Sequence, residues 1–177
     1  EAKGTQEELL FWLNHDDKDK IWKAQFDARE ALKGNMRVAR ETMTFIYGNS
    51  FDMTGFKDGT GNPEPERDVE VAVVPAGQPG AGGSFIIAQR WIHDLEAFNL
   101  LPVPEQEKVF GRTKGEESAR LSPVPPSSHL AHTELRKGKS GDESTPKRDE
   151  ISRRSTPYAF HDGTVGLYFM AFCKSQA

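Results

Sequence analysis

Two runs, "SFIIAQRWIH" (84–93) and "VGLYFMAFCKS" (165–175), do most to limit what this chain can become. Each is short, rich in β-branched and aromatic residues, and entered from glycine-rich turn sequence, which reads as a strand. "PAGQPGAGG" (75–83) joins the first of them to "VEVAVV" (69–74), so 69–74 is expected as the preceding strand. Upstream, "ELLFWLN" (8–14) reads as a buried strand and "RVARETMTFIYG" (37–48) as another, with Val38, Thr42, Thr44 and Ile46 sharing one parity. Between them Asp16 or Asp17 caps a helix in which Ile21, Trp22, Phe26 and Ala28 fall near helical spacing, with Gly34 as terminator. Strands interleaved with helices predict an α+β fold.

The rest of the chain is less regular. "DLEAFNLLPVPEQEKVFGRTKG" (94–115) predicts two short helices, the first capped by Asp94, the second started by Pro104 and stopped by Gly111. The prolines of "SPVPPSSHLAHTEL" (122–135) favour extended backbone, with a short strand expected after them. "RKGKSGDESTPKRDEISRR" (136–154) is charged, has few apolar anchors, and is expected as an exposed loop or hairpin.

Composition excludes several functions. A net charge of −4 with lysine and arginine scattered among acids gives no electrostatic case for nucleic acid or an anionic membrane. No apolar run approaches the roughly 20 residues that cross a bilayer. The single cysteine, Cys173, excludes an internal disulfide and fits a reducing compartment, and its setting reads as a small buried strand residue. A cytoplasmic location follows as the expectation.

The tripeptide Asp-Gly-Thr occurs twice, in "GFKDGTGNP" (55–63) and "FHDGTVG" (160–166). Alone, Asp-Gly is a turn signal. The first copy adds Gly55, Gly61, Thr60 and Asn62, and its glycines permit close approach of a flat or bulky ligand. The second runs straight into an apolar run and reads as a turn feeding a strand.

"GFKDGTGNP" resembles the Gly-x-x-Asp-Gly signature of the dye-decolourising peroxidases, closest to their bacterial B-type branch. Further segments follow in the family's order: 82–99, "EQEKVFGRTK" (105–114), "PSSHLAHTEL" (126–135) and "ISRRSTPYAFHDGTVGLYFMAFCKS" (151–175). The resemblance implies two ferredoxin-like halves, each an antiparallel sheet covered by helices. Residues 1–50 would be the later part of the first, and 51–177 the haem-binding second, the chain being incomplete at both ends. It implies haem b as cofactor, held by His129 as iron ligand, with Arg112 on the propionate side and Gly59, Thr60, Gly61 and Ser155 lining the site. Asp58 is the implied distal acid and Arg153 the distal arginine, although a slip of one residue would exchange Arg153 for Arg154.

In that chemistry Asp58 moves a proton between the peroxide oxygens, and Arg153 stabilises negative charge on the departing one. Trp91, Tyr47, Tyr158 and Tyr168 are electron-relay candidates by residue type, against a default of core packing. Many B-type members carry asparagine two residues after the distal arginine, where this chain has Ser155. Implied partners are hydrogen peroxide, small aromatic reductants and further copies of the chain, with encapsulin-shell cargo left open. A haem-binding or haem-delivery protein with little turnover is the alternative. His129 and His132 could also contribute to a zinc site, but the rest of such a set, such as paired cysteines, is absent.

Overall fold

A computed structural model describes residues 4, 6–133 and 150–175. Contacts divide the chain into two compact units, Glu1–Thr42 and Met43–Ala177. Among the described residues no helix is long and apolar enough to cross a membrane.

In the first unit the expected helix forms as α1 (Lys18–Leu32), with the Asp17 carboxylate accepting from the Asp19 amide. Its half-buried positions, Ile21, Gln25, Ala28 and Leu32, trace one stripe, while Trp22 and Phe26 stack on each other in solvent, ring centroids 5.4 Å apart. Residues 8–14 do not form the expected buried strand; Leu9, Leu10, Phe11 and Trp12 are exposed. Nor does 37–48 pair into a ladder. Alternation specifies extended backbone with a face to bury, but a strand needs a partner to complete its hydrogen bonds, and no described segment supplies one. Phe45, in the second unit, makes one such bond, its amide donating to the Pro157 carbonyl at 3.0 Å. Pro157 has no N–H to return, which limits any ladder there.

The second unit is an antiparallel sheet with helices, the α+β arrangement expected. Its strands are β1 (Phe85–Ile92), β2 (Ser152–Arg153), β3 (Thr156–Ala159) and β4 (Val165–Cys173). β4 is central, pairing with β1 from Phe85↔Cys173 to Ile92↔Gly166 and, on its other edge, with β2 and β3. The register along β2 and β3 is continuous, Arg153↔Ala171 leading to Thr156↔Tyr168, so they are one edge strand with a local break. At that break Arg154 donates to the Met170 carbonyl, but the Met170 amide donates to the Ser155 hydroxyl instead of completing the pair. "FHDGTVG" makes the expected turn between β3 and β4: Gly163 sits at φ 88°, and Asp162 accepts from the Thr164 amide. Cys173 lies in β4 as expected, half-buried.

Two other expectations fail for identifiable reasons. Residues 69–74 are not a strand: Asp68–Ala72 form helix α2 behind a 3-10 turn at Pro65–Arg67. A strand would bury Val69 with Val71, whereas Val69 is 71% exposed and Val71 and Val74, three apart, are the buried pair. Acids at 68 and 70 in the first turn suit the helix N-terminus. Likewise the strand expected after the prolines is helix α5 (His129–Thr133), because Ser128 Oγ accepts from the Ala131 amide and starts it. Helices α3 (Leu95–Asn99) and α4 (Val103–Phe110) form as expected, with Asp94 capping α3 and Gly111 ending α4 in the left-handed region at φ 84°. Of the loop expected over 136–154, residues up to 149 lie outside the described residues, and 152–153 are β2.

Candidate functional site

The loop that carries Asp58 is fixed from beneath by aromatic packing. Phe56, nearly fully buried, stacks on Phe110 at 3.9 Å between centroids and meets Phe98 edge-on at 6.3 Å. Lys114 lies over the other side of the cluster, its ammonium 5.7 Å from the Phe56 ring. Gly55 sits at φ 84°, in the left-handed region that favours glycine, and a Cβ there would stand 2.7 Å from the end of the Lys114 side chain. Asp52, buried, accepts from the Thr54 amide and pairs with His93 at 2.9 Å, tying the start of the loop to the end of β1. Burial pushes the Asp52 carboxyl up, but the hydrogen bonds from His93 and Thr54 and the His93 charge outweigh it and leave its pKa lowered. The same hydrogen bond raises the pKa of His93 against partial desolvation.

His129 is positioned by a second set of contacts. Gly111 packs against Ser128 and Leu130; a Cβ there would come within 2.8 Å of Ser128 Oγ and 2.9 Å of Leu130 Cβ. Ser128 is fully buried, so α5 starts from a fixed point. His129 is exposed as a residue, with its ring 6.4 Å from that of Phe110, and partial burial of the imidazole lowers its pKa.

Alternation along the β2–β3 edge places the two arginines. Ser152 and Arg154 both reach Asp68 on α2, through Ser152 Oγ at 2.9 Å and through an Arg154–Asp68 ion pair. Arg153 therefore projects to the opposite side of the sheet, the side shared by its cross-strand neighbours Ala171 and Ile87. There its Nε donates to Asn62 Oδ1 at 3.1 Å.

These placements bring Asp58, Arg153 and His129 within electrostatic reach of one another. Burial raises the Asp58 pKa above the usual carboxylate value, and the nearby Asp52 charge adds to this. The Gly59 amide, Arg153 and His129 pull the other way. Burial likewise lowers the pKa of Arg153, opposed by Asp58, and after burial the Arg153 charge is the largest cause of the low pKa of His129.

The other expected site residues stand differently. Gly59, Thr60 and Gly61 form an exposed turn, in which Gly61 leaves room for the Arg153 guanidinium, 2.8 Å from where a Cβ would be. Arg112 donates to the Ser118 carbonyl at 2.8 Å, and its backbone bridges Arg120. The Ser155 hydroxyl accepts from the Met170 amide at 3.4 Å. Of the relay candidates, Tyr158 is fully buried with its hydroxyl on the Trp91 carbonyl, while Trp91 and Tyr47 are exposed. Sequence reading did not single out Asp52 and His93, 41 residues apart with no motif joining them. It saw Asn62 only as a polar member of the glycine-rich loop.

The chemistry of these side chains fits an anionic, metal-bearing group. An imidazole of low pKa offers a nitrogen lone pair to a metal. The terminal nitrogens of Arg153 have no acceptor among the described residues. The sheet side carrying Arg153 also carries the exposed apolar Ile87.

Comparison with known proteins leads to the same family. The family model described as "Dyp-type peroxidase, C-terminal" matches residues 49–177. The dye-decolorizing peroxidase of Rhodococcus erythropolis is 32% identical over 98% of this chain and 50% of its own length. Among solved structures, a dye-decolorizing protein from V. cholerae is 38% identical with TM-score 0.76, covering 89% of this chain and 50% of its own. A DypB variant of Rhodococcus jostii RHA1 in complex with heme is 30% identical with TM-score 0.78, covering 90% of this chain and 50% of its own. The chain thus spans about half the length of the relatives it matches. With its C-terminal 129 residues matched by the family model and its fold shared with these structures, the chain belongs to the Dyp-type peroxidase family.

Proposed function

We propose that this chain is the haem-binding part of a peroxidase that reduces hydrogen peroxide and oxidises aromatic compounds or dyes. The observation that carries the reading is the convergence of Asp58, Arg153 and His129, contributed by three segments far apart in sequence. Family membership supports the same activity. Residues 1–50 are the later part of a first ferredoxin-like half, and 51–177 the second, in a homo-oligomeric protein.

His129 would hold the iron of haem b on one face, and Arg112, through N–H groups not committed to Ser118, would pair with a propionate. When bound, haem supplies a redox-active iron that accepts peroxide oxygen and passes oxidising equivalents to a reductant. The chain's own contribution is to manage charge and protons. Asp58, whose raised pKa brings it nearer neutrality than a free carboxylate, accepts a proton from incoming peroxide and hands it to the departing oxygen. Arg153 holds peroxide and stabilises negative charge as the O–O bond breaks, through terminal nitrogens that no described residue occupies. Gly61 keeps that guanidinium clear of the loop.

Rapid mixing of the haem-loaded, full-length protein with peroxide tests the reading. A peroxidase changes its absorption spectrum within milliseconds to seconds and returns to the starting spectrum as reductant is consumed. The second reading, a haem-delivery protein with little turnover, is favoured by the engagement of the Ser155 hydroxyl with the Met170 amide. It gives no such cycle and no dependence on Arg153.

A further inference from the structure

Arg153 sits at an open sheet edge. Its neighbour Arg154 donates to Met170 on β4, so the N–H and C=O of Arg153 point away from β4. Such edge groups need another partner. Asn62 provides it: Oδ1 accepts from the Arg153 amide at 3.0 Å, and Nδ2 donates to the Arg153 carbonyl at 3.0 Å, a carbonyl that also accepts from Arg154 Nη1 at 2.8 Å. One side-chain amide thus does what a paired strand residue would do. The same Oδ1 accepts from Arg153 Nε at 3.1 Å. The reversed amide would set its NH2 against two donors, so this orientation is the one that satisfies all three bonds.

The loop is shaped to make this clasp. The Asn62 amide donates to the Gly59 carbonyl at 3.1 Å, closing a four-residue turn entered by Gly59 at φ 77°. Asp58 immediately precedes that turn, and Gly61 within it yields space to Arg153 Nη2. A short stretch, Asp58 to Asn62, therefore holds the acid at one end and the arginine's anchor at the other.

We propose that Asn62 is the positioning residue of the distal site: by tying the backbone and Nε of Arg153, it aims the two free terminal nitrogens at the oxygen ligand. This rests on the peroxidase reading above. Without the clasp the Arg153 amide is left to water, its carbonyl keeps only the Arg154 Nη1 bond, and the guanidinium samples other rotamers, so contacts to a bound anion weaken while haem itself is retained.

The test compares the haem-loaded full-length protein with Asn62→Ala, Asn62→Asp, Arg153→Leu and the Asn62→Ala/Arg153→Leu double variant. Fluoride, a small anion that binds ferric haem and accepts hydrogen bonds, is titrated by absorption. Asn62→Ala is expected to weaken fluoride binding about 10-fold, the order of one charge-assisted hydrogen bond. Asn62→Asp, which keeps the acceptor but loses the donor, falls between it and wild type. In the Arg153→Leu background, Asn62→Ala should change nothing further. Wild-type fluoride affinity in Asn62→Ala, or its full loss persisting without Arg153, overturns the proposal. If Arg153→Leu alone leaves fluoride binding unchanged, the peroxidase reading falls. The unfolding temperatures of wild type, Asn62→Ala, Arg153→Leu and the double variant then decide the positioning, which non-additive shifts uphold and additive shifts overturn.

Discussion

Arg153 and Arg154 are adjacent in sequence and serve opposite sides of one sheet: Arg153 is clasped by Asn62, and Arg154 is paired with Asp68 on α2. The two-residue periodicity of a strand separates them. Arg153→Leu is therefore expected to abolish the fast reaction with peroxide. Arg154→Leu removes a partly exposed ion pair with Asp68 and a hydrogen bond from Arg154 Nη1 to the Arg153 carbonyl at 2.8 Å, costing about 1–2 kcal/mol of stability. Stopped-flow absorption together with thermal unfolding of the two variants checks the contrast. Equal losses of peroxide reactivity would contradict it.

Gly166 and Tyr158 form a second exacting contact. The Tyr158 hydroxyl reaches across β4 to the Trp91 carbonyl at 2.9 Å, and a Cβ on Gly166 would stand 1.8 Å from that carbonyl oxygen. Backbone cannot yield cheaply, so Gly166→Ala should destabilise by about 3 kcal/mol or more, the upper range for point substitutions. Tyr158→Phe, which removes the hydroxyl donor to that carbonyl, should cost about 1 kcal/mol. Chemical denaturation measures both, with Gly166→Ala expected to be the more damaging.

The Asp52–His93 pair gives stability a pH dependence. The pKa of His93 is raised above 6.5, so its contribution is complete below that pH and lost as pH rises through the folded value. The pKa of Asp52 is lowered below 3.8, so its contribution is complete above that pH and lost as pH falls through the folded value. The stability difference between wild type and Asp52→Asn is thus expected to be largest between pH 3.8 and 6.5, about 1–3 kcal/mol. Denaturant midpoints from pH 4 to pH 9 follow it, and a difference that grows on the alkaline side would refute the pairing.

Gly111→Ala tests how α5 is held. It places a side chain at φ 84° and against Ser128 and Leu130, at an expected cost of about 1–3 kcal/mol. Because the displaced segment leads into His129, the variant should release haem faster than wild type when challenged with an excess of apomyoglobin. Unchanged release would mean that the Gly111 contact does not position the imidazole.

The sequence disclosed elements where local chemistry and tertiary pairing agree. Asp17, Asp94 and Gly111 cap their helices as their residue types dictate, and β1 and β4 form where the apolar runs lie. It misled where one pattern admits two periods. Val69, Val71 and Val73 alternate like a strand, but burying Val71 with Val74 requires a helix, and the preceding proline and acids favour it. Residues 8–14 and 37–48 carry strand composition without a described partner, so pairing, which composition cannot encode, decides against them. The Asp58, His129 and Arg153 set was legible through resemblance to a family. Its supports were not: the Asn62 clasp and the Asp52–His93 pair depend on contacts between segments 91 and 41 residues apart.

The most direct measurement is the absorption spectrum of the purified full-length protein reconstituted with haem, beside that of His129→Ala. An intense Soret band is expected in the wild type, changed within seconds by peroxide, with its shift or collapse without the His129 imidazole. Haem bound with the same spectrum and the same peroxide response in His129→Ala would contradict it.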